Sequence, residues 1–360
     1  MNREYTSLGL MSGTSGDGVD ASIIKSDGQT RYELILDKYF EYSQEIFDAI
    51  YKLREKINNS QDLKKFYKEL EILEKKITLF HAQVAEDVIA EKKVDLVGFH
   101  GQTIFHSYKD RISRQLGNGK LLSSILKKDV VFNFRQDDLK NNGEGAPLTP
   151  IFHKLIVDQK KINLPVTILN LGGIANVTSI NAQNKMFSSD IGPGNCLIDK
   201  WMKINSKKNY DESGKTAKSG KINKIVLDQA LDSFFKNNLG HNKSYDIKDF
   251  DLSFVSGLSL EDGAATLTEY TSEILSKKLS KNLIFLCGGG RKNKFLIDSI
   301  QNKIKNKISQ IDNLGIDGSY IESQAFGYLA IRSYLGLPIS FPETTGCKNP
   351  CTGGVKTKNY

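Results

Sequence analysis

The chain has 360 residues, of which 39% are hydrophobic and 26% charged, and its 50 basic side chains exceed its 42 acidic ones by eight. This composition excludes a disordered chain, and four cysteines are too few for a disulfide scaffold. The sequence has no apolar signal segment, and no run approaches the ~18 apolar residues that a membrane span needs. The lysines are interspersed with acidic residues along helical stretches, which is typical of a solvated surface. We therefore expect a cytoplasmic protein that binds neither membrane nor nucleic acid.

The first half of the chain is predicted to alternate strands and helices, beginning with a hairpin. Strand-like segments at 7–11 and 19–24 flank a turn of Gly, Ser, Thr and Asp. Apolar residues at three- and four-residue spacing predict helices within 43–92. Buried strands are expected at 94–99 and 130–134, and a helix at 147–157.

The second half opens on a second hairpin, with strands at 165–170 and 174–180 around Gly172-Gly173. Helices are predicted at about 225–237 and 262–279, a strand at 282–286 and a helix at 323–335, and we expect the tail from Thr352 to be frayed. Two halves, each opened by a hairpin, favour two related α/β domains. A single doubly wound sheet is the less favoured alternative, because its phosphate loop would lead from a strand into a helix.

The turn Ser12-Gly13-Thr14-Ser15-Gly16-Asp17-Gly18 is a candidate phosphate site. Its glycines allow backbone N–H groups to approach a phosphate, and its hydroxyls add donors. Asp17 is a candidate ligand for Mg²⁺, mostly through water. The turn is not a Walker loop, since the lysine is missing, and it is not a dinucleotide-binding fingerprint, since no helix follows. On local composition alone, a plain hairpin turn that binds no phosphate is an equally good interpretation.

Three further glycine turns follow strands. They are Gly172-Gly173 with Asn176, the segment Asp190-Ile191-Gly192-Pro193-Gly194-Asn195, and Gly288-Gly289-Gly290 with Asn293. The last runs from a strand into a helix, as nucleotide-phosphate turns do. Asp190 stands at a strand end, too far from the following helix to be read simply as its cap.

The sequence does not predict a zinc or thiol site. Cys347 and Cys351 are four residues apart, but no matching pair of Cys or His accompanies them. His100 and His106 do not share a helix. Cys196 and Cys287 are interpreted as residues that fill small apolar spaces rather than as nucleophiles.

Taken together, the motifs resemble those of the anhydro-N-acetylmuramic acid kinases, a family of the sugar kinase/actin/heat-shock ATPase superfamily, nearly from end to end. They are Gly9-Leu10-Met11-Ser12-Gly13-Thr14-Ser15, Asp17-Gly18-Val19-Asp20, Gly98-Phe99-His100-Gly101-Gln102-Thr103, Phe134-Arg135 with Asp138, Gly145-Ala146-Pro147-Leu148, Leu171-Gly172-Gly173-Ile174-Ala175-Asn176, 190–195, Ala265-Thr266-Leu267-Thr268, Gly288-Gly289-Gly290 with Asn293, and Glu322 with Ala325-Phe326. The chain departs from the family pattern at several positions. They are Gly16, Asn118, Asn133, Asn142, Glu144, Tyr245-Asp246 and Ser319.

The resemblance implies a two-lobed actin-like or hexokinase-like α/β ATPase fold with a central cleft for nucleotide and sugar. One lobe would comprise 1–136 with 327–360, and the other 137–326. ATP would be bound by Gly13, Thr14, Ser15, Gly16, Asp17, Gly18, Val19, Asp20, Gly172, Gly173, Gly288, Gly289, Gly290 and Asn293, with Mg²⁺ at Asp17. The sugar would be bound by Gln102, Thr103, Arg135, Asn176 and Glu322.

The resemblance also implies a reaction. In a 1,6-anhydro sugar the 6-oxygen belongs to an internal bridge, so phosphorylation requires water to replace it at the anomeric carbon. Asp190 is the expected general base, and Arg135 would pair with the lactyl carboxylate or with phosphate. Another sugar kinase of the superfamily, or a non-catalytic ATP-gated binding protein, is the alternative. A homodimer is the oligomeric state common in such enzymes.

Overall fold

We describe residues 3–90, 92–237, 244–280 and 282–360 from a computed structural model. The chain divides into two compact units. Unit 1 comprises Met1–Ile162 with Tyr320–Tyr360, and unit 2 comprises Asn163–Ser319.

Strands and helices alternate along most of the chain. The strands are β1 (Tyr5–Ser12), β2 (Gly18–Ser26), β3 (Tyr32–Glu41), β4 (Leu96–Ser107), β5 (Ile112–Leu116), β6 (Asp129–Phe132), β7 (Val166–Leu171), β8 (Ile174–Ile180), β9 (Met186–Pro193), β10 (Leu283–Cys287), β11 (Ile308–Gln310) and β12 (Val355–Thr357). The helices are α1 (Gln44–Lys56), α2 (Asp62–Lys65), α3 (Tyr67–Ile89), α4 (Gly119–Leu126), α5 (Gln136–Lys140), α6 (Pro150–Gln159), α7 (Cys196–Asn205), α8 (Lys215–Ser219), α9 (Lys224–Asn237), α10 (Leu260–Lys278), α11 (Lys294–Lys303), α12 (Ile321–Tyr334) and α13 (Pro342–Thr345). Short 3-10 turns occupy Glu212–Gly214, Ile247–Asp249, Ser253–Val255, Gly289–Lys292 and Ile311–Leu314.

Both units are built on the same sheet topology. In unit 1, β1, β2 and β3 form an antiparallel meander, and β4 and then β6 add on the other side of β1 in parallel. In unit 2, β7, β8 and β9 repeat the meander, and β10 and β11 repeat the parallel additions. Two hairpins followed by equivalent parallel strands confirm the predicted repeat and the α/β fold class.

Helix α12 packs directly on the sheet of unit 1 through glycine. A Cβ on Gly9 of β1 would overlap the Ser323 carbonyl, and one on Gly98 of β4 would overlap the Phe326 carbonyl. Only glycine permits this approach of helix and strand backbones. The helix is buried along most of its length, so it forms part of the core of unit 1.

The unit boundaries differ from the predicted lobe boundaries at both crossings. Segment 137–162 belongs to unit 1 because α6 is anchored there, with the ring of Phe152 5.0 Å from Tyr32 and 5.6 Å from Tyr328. Residues 320–326 belong to unit 1 because they form the first turns of α12. The expectation of a frayed tail is wrong, since β12 pairs with β6.

Candidate functional site

The first glycine turn, between β1 and β2, has its carbonyl oxygens tied to the protein. Gln102 Nε2 donates to the Gly13 carbonyl at 2.8 Å and Arg54 Nη1 to the Thr14 carbonyl at 2.7 Å. Tyr51 OH donates to the Ser15 carbonyl at 2.9 Å. The N–H groups of Thr14 and Ser15 have no acceptor among the described residues. The turn therefore presents donors, which is the polarity that an anion requires.

The conformation of this turn depends on Gly16 and Ser12. Gly16 has φ +64° and donates its N–H to the Gly13 carbonyl at 3.1 Å, and this left-handed conformation favours glycine. Ser12 Oγ lies 2.6 Å from Gln102 Oε1 and 2.8 Å from the Gly18 carbonyl. Gln102 is fully buried, so its amide acts here as a support of the turn.

The other predicted residues of the turn differ in what they can offer. Asp17 is exposed, and its Oδ1 accepts a hydrogen bond from Ser15 Oγ at 2.6 Å. Val19 is fully buried in the core, so only its backbone could contact a ligand. Asp20 is half-buried on β2.

The predicted sugar-binding residues of unit 1 include a braced arginine. Arg135 Nη1 donates to the Gly145 carbonyl at 2.7 Å, and its Nη2 lies 2.9 Å from His100 Nε2. His100 Nδ1 lies 2.8 Å from the Gly101 carbonyl, so Nδ1 carries the proton and Nε2 accepts. Burial, reinforced by the charge of Arg135, lowers the pKa of His100 well below its usual 6.5. A neutral imidazole thus holds the guanidinium in place.

Thr103 and Glu322, the remaining predicted sugar residues of unit 1, are both half-buried. Thr103 Oγ1 accepts from Gln115 Nε2 at 3.2 Å. Glu322 lies in the first turn of α12.

In unit 2, two glycine turns dock on each other. The N–H groups of Gly194 and Asn195 donate to the carbonyls of Gly173 and Gly172 at 2.9 and 2.8 Å. A Cβ on Gly194 would overlap the Gly172 carbonyl. The second hairpin turn and the start of α7 are therefore held together by their backbones.

The three-glycine turn after β10 has one open face. A Cβ on Gly288 would lie 2.8 Å from the Leu171 carbonyl, and one on Gly290 would lie 2.6 Å from Asn195 Nδ2, whereas one on Gly289 would meet nothing within 4 Å. Exposed Gly289 is thus the position at which a ligand can approach the backbone. Asn293, predicted to bind nucleotide, uses its Oδ1 to cap α11 by accepting from Leu296 N–H at 3.1 Å.

Arg291, the residue after this turn, is held in a network of charged and polar side chains. Arg291 donates to Asp312 at 3.0 Å and to Asp317 at 2.7 Å. Its Nη1 also donates to Ser319 Oγ at 3.0 Å. The Arg291 side chain is only 8% exposed, whereas Asp312 and Asp317 are 41% and 49% exposed, so a buried guanidinium is held by carboxylates that remain in contact with solvent.

Asp190 and Asn176 face each other across β8 and β9. They are register partners beside a bulge that follows Ala175, and bulges commonly re-aim side chains near functional sites. Asp190 Oδ2 accepts from Tyr245 N–H at 2.8 Å, a bond that favours the carboxylate form. Asn176 Oδ1 is buried without a hydrogen-bond partner in the described part of the chain. Such an orphaned acceptor indicates a missing donor.

A half-buried lysine adds positive charge near Asp190. Lys278 Nζ lies 3.4 Å from Tyr245 OH, and 5.3 and 5.5 Å from the ring centroids of Phe234 and Tyr245. Burial lowers the pKa of Lys278, and the charge of Asp190 opposes that shift. Burial, with the charge of Asp190, raises the pKa of Tyr245 to about 12.

Several residues that depart from the family pattern suit the backbone conformation that they adopt here. Asn133 and Asn142 have φ of 59° and 64°, and asparagine tolerates this left-handed region better than most residues. Asn118 Oδ1 caps α4 by accepting from Leu121 N–H at 3.0 Å. The Glu144 N–H donates to the Thr345 carbonyl at 2.8 Å, a contact that does not depend on its side chain.

Sequence reasoning missed the supporting residues of both units. Arg54 lies on a helix whose other buried residues are apolar, and Tyr245 and Lys278 are separated from Asp190 by 55 and 88 positions. His100 is different, because its place beside Gly101-Gln102 was a signal for function.

Comparison with known proteins identifies the family. A family model described as anhydro-N-acetylmuramic acid kinase matches residues 5–359. The anhydro-N-acetylmuramic acid kinase of Pelagibacter ubique is 52% identical over 100% of both chains, and that of Brucella canis is 35% identical over 98% of each. A ROK family glucokinase from Streptomyces griseus, solved with glucose and AMPPNP, aligns over 90% of this chain and 99% of its own with 11% identity and a TM-score of 0.42. Within the described ranges, no helix is long and apolar enough to cross a membrane. The resemblance seen in the motifs is confirmed, and the chain belongs to the anhydro-N-acetylmuramic acid kinase family.

Proposed function

We propose that the chain uses ATP and water to open 1,6-anhydro-N-acetylmuramic acid and phosphorylate its 6-oxygen, giving N-acetylmuramic acid 6-phosphate. This activity would serve peptidoglycan recycling and amino-sugar catabolism in the cytoplasm, with the enzyme acting as a homodimer. Family membership supports the kinase assignment and the use of ATP. The observation that carries the chemical step is the Asp190 carboxylate, held by the Tyr245 N–H beside the unsatisfied Asn176 Oδ1.

The first turn fits the phosphates of a nucleotide. Its carbonyl oxygens are bonded inward, and the Thr14 and Ser15 N–H groups are left as donors. In unit 2 the open backbone at Gly289 is a second place for phosphate or ribose to approach, and the adjoining Gly290 packs on Leu171, which precedes Gly172-Gly173. When bound, ATP supplies the γ-phosphoryl group, and its Mg²⁺ neutralises developing negative charge.

Exposed Asp17 fits a Mg²⁺ ion that keeps most of its waters. Its carboxylate is fixed by Ser15 Oγ and is accessible to solvent. Magnesium in nucleotide sites is commonly held by only one or two carboxylates together with substrate phosphates. Asp17 is therefore the residue that we propose as the protein contribution to that ion.

Asp190 would act on water rather than on a sugar hydroxyl. It would take a proton from the water that attacks the anomeric carbon, while the bond from that carbon to the bridge oxygen breaks. The released 6-oxygen would take the γ-phosphoryl group of ATP, and ADP would leave. Asn176 Oδ1 would accept a hydrogen bond from the sugar. The Tyr245 N–H, which donates to Asp190 Oδ2, would hold the carboxylate in place for this proton transfer.

Arg135 would bind an anionic group of the substrate, either the lactyl carboxylate or a phosphate. Its Nη1 and Nη2 contacts with Gly145 and His100 fix the guanidinium plane, and a fixed plane favours bidentate recognition of carboxylate or phosphate. Thr103 and Glu322 complete the proposed sugar contacts of unit 1. Gln102 would act on the site through the turn that it supports.

Heavy-oxygen water tests the reaction. The enzyme is incubated with ATP, Mg²⁺ and the anhydro sugar in labelled water, and the product is quenched rapidly and fragmented in a mass spectrometer. We expect one heavy oxygen at the anomeric position and none in the phosphate ester. Unlabelled product held in labelled water for the same time measures exchange, and glucose serves as the control substrate.

Free N-acetylmuramic acid distinguishes coupled opening from two separate steps. If the enzyme hydrolysed the bridge first, this free sugar would accumulate and would be phosphorylated rapidly. We expect neither result. Rapid phosphorylation of the free sugar would contradict the coupled step while leaving a sugar kinase in place.

A further inference from the structure

Unit 1 contains a cluster of two cysteines and an aspartate outside the proposed catalytic residues. One ligand atom each of Asp138, Cys347 and Cys351 lies within 4.8 Å of the others. Asp138 and Cys347 are only 1% and 2% exposed, and Cys351 is half-buried. The carboxylate is the third ligand that the cysteine pair lacked in the sequence.

The backbone around this cluster is held in place independently of any ion. Cys351 N–H donates to the Ser340 carbonyl at 3.1 Å, and the Cys351 carbonyl accepts from Ile339 N–H at 2.9 Å. On the other side, Lys348 N–H donates to the Asn141 carbonyl at 2.8 Å. The two cysteines are thus presented by a loop fixed at both ends, as a preformed ligand set requires.

Among the described residues, the Asp138 carboxyl group has hydrogen-bond donors but no cationic partner. Its Oδ2 accepts from Gly145 N–H at 2.7 Å and its Oδ1 from Thr345 Oγ1 at 2.6 Å. No lysine, arginine or histidine nitrogen of the described ranges lies within ion-pair distance of it. A carboxyl group this deeply buried needs a cationic partner or a metal ion if it is to carry a charge. A carboxylate with both oxygens hydrogen-bonded keeps further lone pairs for a cation.

We propose that Asp138, Cys347 and Cys351 form a binding site for one thiophilic divalent cation of the Zn²⁺ class. Two thiolates and a carboxylate are a ligand set that zinc accepts, with water as the fourth ligand at half-buried Cys351. Binding releases the two thiol protons to solvent, and the thiolates and carboxylate then hold the cation. Ser340 Oγ, 3.0 Å from Cys351 Sγ, can donate to that sulfur and orient it.

The chemistry separates this site from nucleotide magnesium. Mg²⁺ is a hard ion that prefers oxygen ligands, so it does not compete effectively for two sulfurs. The proposed cation would cross-link α5, which carries Asp138, to the C-terminal segment. The loop that follows α5 includes Gly145, whose N–H donates to Asp138 and whose carbonyl accepts from Arg135. The inference does not depend on the proposed reaction.

Cobalt provides a direct test on the full chain. The protein is reduced, treated with chelator, desalted and titrated with Co²⁺, whose bonds to thiolates give an intense near-ultraviolet charge-transfer band. We expect the band to saturate at one equivalent and to disappear when Zn²⁺ is added. With Zn²⁺ at about 100 times its dissociation constant, the melting temperature should rise by ~5–10 °C.

Variants assign the band to the cluster. Cys347→Ser and Cys351→Ser should each lose most of the band, and Asp138→Asn should weaken Co²⁺ affinity at least ~10-fold. Cys196→Ser, a half-buried cysteine of unit 2, is the matched control and should keep the band. Circular dichroism verifies that each variant is folded, and the unmodified chain gives a readout that needs no variant. Absence of the band in that folded, reduced chain would overturn the proposal, as would a band that survives both cysteine substitutions.

Discussion

Replacing Asp190 by asparagine removes the negative charge and keeps the size of the side chain, so it tests the charge alone. Asparagine keeps an oxygen that can accept from the Tyr245 N–H, now 2.8 Å from Asp190 Oδ2, but it cannot take a proton from water. Loss of a general base costs ~100- to 10,000-fold in rate. At ~1.36 kcal/mol for each factor of ten, this raises the barrier by ~2.7–5.4 kcal/mol.

The same change should have a much smaller effect on folding. A hydrogen bond to a charged acceptor contributes ~1.5–3 kcal/mol and a neutral one ~0.5–1.5 kcal/mol, so Asp190→Asn should lose ~1 kcal/mol of unfolding free energy. Asp190→Ala leaves the Tyr245 N–H without this acceptor and should cost more, ~1–3 kcal/mol. The rate and the stability therefore respond differently to the two variants.

The assay measures turnover of the anhydro sugar, ATP affinity and melting temperature for each variant. Asp298→Asn, an exposed carboxylate on α11 of the same unit, is the control and should be unchanged in all three. ATP affinity should stay within a few-fold in Asp190→Asn. A folded Asp190→Asn enzyme with more than a tenth of the normal rate would refute the assignment of the base.

Three other changes test unit 1. Asp17→Ala should raise the Mg²⁺ concentration needed for half-maximal rate, while sugar affinity measured without nucleotide stays near normal; selective loss of sugar affinity would contradict the phosphate role of this turn. Arg54→Lys keeps the charge but loses the two-pronged hydrogen bonding to the Thr14 and Thr103 carbonyls at 2.7 and 2.9 Å. The KM for ATP should therefore rise by ~10-fold, which corresponds to ~1.4 kcal/mol. Arg31→Lys, at an exposed position, is the control. Burial lowers the pKa of His81 to about 4, so between pH 6.5 and 4 the unfolded chain binds a proton at this residue that the folded chain does not. The free energy of unfolding should therefore fall by ~2 kcal/mol from pH 7 to pH 5 because of His81. In chemical denaturation, the unfolding free energy of His81→Gln should depend less steeply on pH.

The local pattern of the chain was sufficient to predict both hairpins and the longer helices, though not β3, β5, α4 or β12, and the motifs resembled the family that the comparisons show. Each hairpin has alternating strands around a glycine turn within about 25 residues, and such signals are local. Glycine turns after strands, with Asp190 at the end of one, marked the candidate site for the same reason. The departures at Asn133 and Asn142 were visible in the sequence, but only the structure shows that both residues have positive φ, which asparagine tolerates.

The tertiary structure decided everything that depends on distant contacts. The sequence gives no sign that Arg54 would support the first turn, that Tyr245 would hold Asp190, or that the carboxylate of Asp138 would meet cysteines more than 200 positions later. The first segment of unit 1 ends after α6, at Ile162, because aromatic rings anchor that helix to β3 and α12. The C-terminal segment forms a strand because β6 has a free edge with which it pairs. Composition and periodicity describe a segment and its neighbours along the chain, whereas these contacts depend on which segments folding brings together.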